Sequence, residues 1–162
     1  MSDTSPAILF DFFNEIGIIE QLSRALLEAR LPHGLIAPHF TVLNHLTRLG
    51  DGRAPIDMAR AFQVPKTTLT HTLKGLEALQ YIEMRPNPQD GRSKLVYLTD
   101  KGRSLRADVI SALGPDFARL AGQYDVARLA SMLPDLKALR ATLDSDRDGA
   151  PSVSDRMRAV GE

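Results

Sequence analysis

Residues 65–102 read PKTTLTHTLKGLEALQYIEMRPNPQDGRSKLVYLTDKG, and the pattern of this stretch decides the fold. Leu69, Leu73 and Leu76 are spaced four and three apart, one apolar stripe on a 3.6-residue period. Lys66, Thr67, Thr70, His71 and Lys74 lie elsewhere around the same helix, as cationic or hydrogen-bonding side chains. An apolar helical segment, residues 55–62, precedes it across a tight break at Gln63 and Val64. A helix, a short turn and a second helix with a polar outer face form a unit that can lie in a DNA major groove.

The residues that follow predict a hairpin. Residues 81–85 read as a strand with Ile82 and Met84 on one face, and residues 94–98 as its return with Val96 and Leu98 on one face. Between them stand the turn formers Pro86, Asn87, Pro88, Asp90 and Gly91. Arg85, Arg92 and Lys94 make the bend cationic. Thr99 can then cap a helix, with Asp100 in a first turn where the dipole favours an anion.

The run from Asp90 to Gly102, DGRSKLVYLTDKG, fits a D-x-R, five residues, L-T, x-x-G pattern. In this it resembles the MarR family of bacterial transcription regulators, whose helix-turn-helix is also similar to residues 56–77, including Met58-Ala59 before the turn. Three positions depart from the family pattern: Gln63 and Gln80 stand where glycine is common, and Pro65 where a capping serine is common. A left-handed backbone at Gln63 would be strained, and Pro65 suits a first helical turn without offering a side-chain cap.

Composition agrees with such a protein. The chain of 162 residues is 43% apolar, enough for the core of one domain with extensions. With no cysteine there is no disulfide, zinc-thiolate site or thiol switch. No apolar run approaches the ~20 residues that span a membrane, and the start, MSDTSP, lacks the basic region of a secretion signal. The expected location is cytoplasmic. Net charge is zero, yet residues 60–106 hold nine cations and four anions, a surplus of five that coincides with the helix-turn-helix.

The flanks read as helices. Residues 6–31 repeat apolar side chains at threes and fours, from Leu9, Phe12 and Phe13 to Leu26 and Leu27, with Thr4 or Ser5 as caps and Pro32 and Gly34 as the stop. Residues 39–49 form a second helix with Phe40, Leu43 and Leu46 inward, and residues 55–62 a third with Ile56, Ala59 and Phe62 inward. After the wing a long helix, residues 99–122, breaks or kinks at Gly114-Pro115, and a last helix, residues 125–143, contains Pro134. The polar end predicts a disordered tail.

The expected fold is mostly α with a small β-hairpin wing, a winged helix-turn-helix between N- and C-terminal dimerisation helices. Its parts are residues 1–34, a dimerisation helix; 35–102, the DNA-binding region; 103–145, linking and dimerisation helices; and 146–162, the tail. The resemblance implies a homodimer on double-stranded DNA, and a small, often aromatic, acid or phenol as effector. Thr67, Thr70, His71 and Lys74 would face the major groove, with Lys66 and Lys74 holding phosphates, Arg92 at the wing tip would enter the minor groove, and Lys94 would also meet DNA. Asp90, an anion beside phosphates, and Gly91 would shape the wing instead. His33, His39 and Arg106 are polar groups near the junction where an effector would sit. No cofactor or metal is expected, since His39 and His45 are six apart and no carboxylate or cysteine completes a set. Nor is an enzyme: no phosphate-binding glycine loop, catalytic triad or paired carboxylates can be placed in one pocket. A winged helix that binds a protein rather than DNA is the alternative.

Overall fold

The computed structural model describes residues 4–145. The expected tail, residues 146–162, lies outside them. The elements run α1 (Thr4–Glu28), α2 (Ala37–Leu49), α3 (Pro55–Phe62), α4 (Lys66–Ala78), β1 (Ile82–Asn87), β2 (Asp90–Leu98), α5 (Asp100–Ala112), α6 (Gly114–Ala121) and α7 (Val126–Ser145). The mostly helical fold with one hairpin is the one expected. The chain divides into two compact units at Pro115/Asp116.

In the first unit, α2, α3, α4, the hairpin and α5 share one core. Val42, Leu43 and Leu46 of α2 meet Met58 of α3, Leu69, Leu73 and Leu76 of α4, Ile82 and Val96 of the hairpin, and Leu105 and Val109 of α5. The leucine stripe of α4 is thus its inward face. Each fully buried leucine contributes about 1.5–3 kcal/mol by leaving water. One inward assignment is corrected. Ile56 is 57% exposed, and Met58 is fully buried instead. An eight-residue helix turns only one narrow face to its neighbours, and the face used here is Met58-Ala59.

Local chemistry sets the ends. Thr4 and Ser5 lie inside α1 rather than capping it, and α1 stops at Glu28, ahead of Pro32. The Glu28 carboxylate accepts the Ala37 amide at 2.8 Å, the start of α2, and this bond holds its carboxyl below the usual range. The Ile36 amide donates to His39 Nδ1 at 3.1 Å, one half of a capping box. Thr99 caps α5 as expected, its Oγ1 accepting from the Gly102 amide at 3.1 Å. The break or kink expected at Gly114-Pro115 is an interruption at Leu113, which separates α5 from α6.

The hairpin is antiparallel, pairing Ile82 with Leu98, Met84 with Val96 and Pro86 with Lys94, and its register slips at Pro86/Asn87. Both strands run further into the bend than expected, because Asn87 and Ser93 side chains bond across it at 3.0 Å. Arg53 adds a one-residue bridge to Val96, a vestigial third strand.

In the second unit, α7 contains Pro134, and no residue of this helix is buried. Asp125 precedes it and caps it, accepting the Ala127 amide at 2.9 Å.

Candidate nucleic-acid interface

The turn before α4 is held by backbone rather than by side-chain caps. Gln63 sits in the left-handed region at φ 57, ψ 38, the conformation that favours the missing glycine. Pro65 precedes α4 in an extended conformation with no side-chain cap. At the far end Gln80 is also left-handed, at φ 61. Gln63 and Gln80 thus hold left-handed conformations at the cost of backbone strain, and Pro65 leaves the start of α4 without a side-chain cap.

That far end is locked to α5. Thr99 Oγ1 donates to the Gln80 carbonyl at 2.7 Å, and the Thr99 amide to the Tyr81 carbonyl at 3.2 Å. Lys101 Nζ donates to the Leu79 carbonyl at 2.8 Å and lies 4.8 Å from the centre of the Tyr81 ring. Gly102 leaves room for the Tyr81 carbonyl where a side chain would stand. The LTDKG run is thus the clasp that fixes the end of α4 to α5. A second clasp holds the base of the wing, where Asp51 Oδ1 accepts the Leu98 amide at 2.9 Å and Oδ2 pairs with Arg103. Sequence reading passed over Asp51 and Lys101, since their partners stand 47 and 22 residues away.

Lys66, Thr67, Thr70, His71 and Lys74 are all exposed on α4, away from its leucine stripe. The wing folds back beside them. Lys66, Thr70 and Lys74 line one groove with Arg92, Ser93 and Lys94, over a floor that includes Pro55, Ile56, Leu73 and Met84, with a volume of about 320 Å³. Five of the seven predicted contact residues are therefore drawn together, and Thr67 and His71 lie on α4 outside the lining.

Inside the bend, Asp90 Oδ1 accepts the Arg92 amide at 3.0 Å, and the Asp90 carbonyl accepts Ser93 Oγ at 3.1 Å. Its carboxylate is spent on the wing backbone. Gly91 carries no comparable requirement: its φ is not positive, and open space lies where a Cβ would stand. Of the three cations around the bend, Arg85 pairs its guanidinium with Glu83 and stacks 4.4 Å from the centre of the Tyr97 ring.

His33, His39 and Arg106 do not converge. His33 is exposed between α1 and α2. His39 is engaged with Ile36, and its Nε2 points toward Gly75 of α4. Burial, and then the charge of His71, hold the His39 pKa below its ordinary value. Arg106 Nε donates to Asn44 Oδ1 at 3.1 Å. A cavity of about 190 Å³ lies elsewhere, between α1, α2, α4 and the α3–α4 turn, lined by Glu20, Arg24, Thr41, Phe62, Thr68 and Thr72 among others. None of the three lines it. Glu20 and Arg24 stand between the apolar positions of α1, and nothing local in the sequence says that they border a cavity. Among the described residues no cluster of three or more His, Cys, Asp or Glu could hold a metal ion, and no helix is long and apolar enough to cross a membrane.

A helix-turn-helix whose second helix is flanked by a basic two-stranded wing defines a winged helix-turn-helix protein. Residues 33–93 match the family model described as MarR family. Escherichia coli MarR in its apo form is 26% identical, with a TM-score of 0.67 over 78% of this chain and 94% of that one. A cysteine-to-serine mutant of E. coli MarR complexed with operator DNA is 24% identical, with a TM-score of 0.67 over 86% and 99%. Bordetella bronchiseptica BpsR, whose DNA binding is regulated by 6-hydroxynicotinic acid, is 21% identical, with a TM-score of 0.66 over 80% and 98%. The chain has the winged helix-turn-helix fold of MarR, and its residues 33–93 are similar to the MarR family.

Proposed function

We propose that this protein is a transcription regulator that binds a near-palindromic duplex operator as a two-fold homodimer. It represses the genes it controls and leaves the operator when a small aromatic effector binds. It acts in the cytoplasm, by binding and without turnover.

The observation that carries this reading is the groove shared by α4 and the wing. Lys66, Lys74, Arg92 and Lys94 present four cations around one concave surface, with Thr70 between them. The four cations suit phosphates, which position a protein without reading sequence, and Arg92 beyond the bend suits a narrow minor groove. Thr67, Thr70 and His71 are left to meet base edges. The operator complex of the E. coli relative supports the same use of the fold.

Dimerisation rests on apolar surface that one chain leaves in water. On α1, Phe10 is 72% and Leu22 67% exposed, together with Ile8, Leu9 and Ile19. On α7, Val126, Leu129, Leu133 and Leu143 are exposed as well. Large apolar side chains left exposed in this number on a helix mark an interaction site. Two copies would set their recognition helices ~34 Å apart, one turn of duplex.

For the effector we propose the cavity between α1, α2 and α4. Arg24 offers a carboxylate partner and Thr41, Thr68 and Thr72 offer hydroxyls, against the apolar Phe62. A ligand there would favour one spacing of the helices over another. BpsR supplies a precedent for control by a small aromatic acid.

Selection of bound fragments from sheared genomic DNA, with sedimentation of the free protein, tests the reading. Recovery of inverted-repeat sites by a protein of twice the chain mass supports it. A protein that recovers no DNA, and instead forms a stable complex with another protein unaffected by Arg92→Ala, would establish the winged helix as a protein-binding module.

A further inference from the structure

We infer that Thr70 reads the operator as a hydrogen-bond acceptor, and that its partner is an exocyclic amino group in the major groove, adenine N6 or cytosine N4. The inference rests on the DNA-binding reading above and specifies what that site recognises.

A threonine hydroxyl has one proton to donate and two lone pairs to accept with. In this protein the proton is already placed. Thr70 Oγ1 donates to the Lys66 carbonyl one turn back, at 2.8 Å. The residue is exposed on α4 and lines the groove between helix and wing. What remains toward a partner is the pair of oxygen lone pairs and the γ-methyl. Freeing the proton would mean breaking a bond within the helix, and χ1 of a β-branched residue has few wells to move into.

The major groove presents two classes of hydrogen-bonding edge. Guanine N7 and O6, adenine N7 and thymine O4 accept, and only adenine N6 and cytosine N4 donate. A side chain that can only accept therefore discriminates in favour of the last two. The neighbouring cations have the opposite character. Lys66 and Lys74 only donate, so Thr70 is the acceptor among the α4 residues that line the groove.

The test begins with selection of duplexes from a randomised library by the wild-type protein, by Thr70→Val and by Thr70→Ser. Valine keeps the branched shape and removes the acceptor; serine keeps the acceptor and removes the methyl. Circular dichroism confirms that each variant is folded. At the base pair where Thr70→Val relaxes the selection, the base that carries the amino group, on whichever strand it lies, is replaced by its analogue without that group, purine for adenine or 2-pyrimidinone for cytosine.

The wild type and Thr70→Ser should each lose about five- to tenfold in affinity on that replacement, and Thr70→Val should be indifferent to it. Equal losses for all three proteins would overturn the inference. So would a Thr70→Val selection identical to that of the wild type. A folded wild-type protein that selects no sequence at all would overturn the DNA-binding reading itself, and the inference with it.

Discussion

Gly102 stands against the carbonyl of Tyr81, so closely that a Cβ built on it would lie 2.0 Å from the Tyr81 oxygen. The carbonyl belongs to the segment leaving the recognition helix and the glycine to the first turn of α5, so this contact sets the distance between the two helices. Gly102→Ala must push them apart. It should lower stability by about 1–3 kcal/mol, as overpacking does, read as a fall in Tm. DNA affinity should fall further than stability alone requires, because the helix end moves. An unchanged Tm would show that the clasp yields.

The opposite sign is expected at Gln80. Its φ of 61 is a left-handed conformation that costs an ordinary residue about 1–2 kcal/mol. Glycine adopts it without that cost but gives back about half of the gain through a freer unfolded chain. Its bond to Thr99 uses the main-chain carbonyl, which the substitution keeps. Gln80→Gly should raise stability by about 0.5–1 kcal/mol in denaturant unfolding, with no change in m-value.

His39 and His45 predict a dependence on acidity. Burial lowers both pKa values, helped by the charge of His71 for His39 and by Arg53 and Arg48 for His45. The unfolded chain then binds more protons than the folded one below about pH 6.5. The contribution is fully present above that value and is lost as pH falls from it toward the lowered folded values. Tm should be flat from pH 8 to 7 and decline below 6.5. His39→Gln with His45→Gln should flatten the decline, and a decline of equal slope in the double variant would assign it to other groups.

Most of this architecture was legible because it is periodic or local. The stripe Leu69, Leu73 and Leu76 located the recognition helix, the alternation of Val96 and Leu98 gave the return strand, and Thr99 announced α5. The bounds of α3 were read to the residue. What escaped depends on distant partners. Ile56 looked inward by spacing, yet three-dimensional packing turned Met58 to the core. Arg85 was legible as a cation of the bend, and its stacking on Tyr97, twelve residues on, was not. His33, His39 and Arg106 share polarity and a neighbourhood in the chain, and neither property brings side chains into one cavity. The groove cations were legible as types, and their convergence was not, because it depends on how far the wing folds toward α4.

Among those cations, Lys74 should act on affinity without acting on sequence preference. Lys74→Ala should weaken binding to all duplexes alike and flatten the salt dependence by about two charges per dimer, one for each copy. Selection by the variant should return the wild-type consensus. A changed consensus would move Lys74 to the base-reading set.

The central claim is that the α4–wing groove holds duplex DNA. It is tested most directly by affinity for the duplex upstream of the protein's own gene, measured across a range of salt concentrations for the wild type and Arg92→Ala. Four groove cations in each of two copies predict a log–log slope of about −7 for the wild type, a slope shallower by about two for the variant, and weaker binding by the variant at every salt concentration. Binding that ignores both salt and Arg92, or no binding to that duplex or to pooled genomic fragments, would contradict the claim.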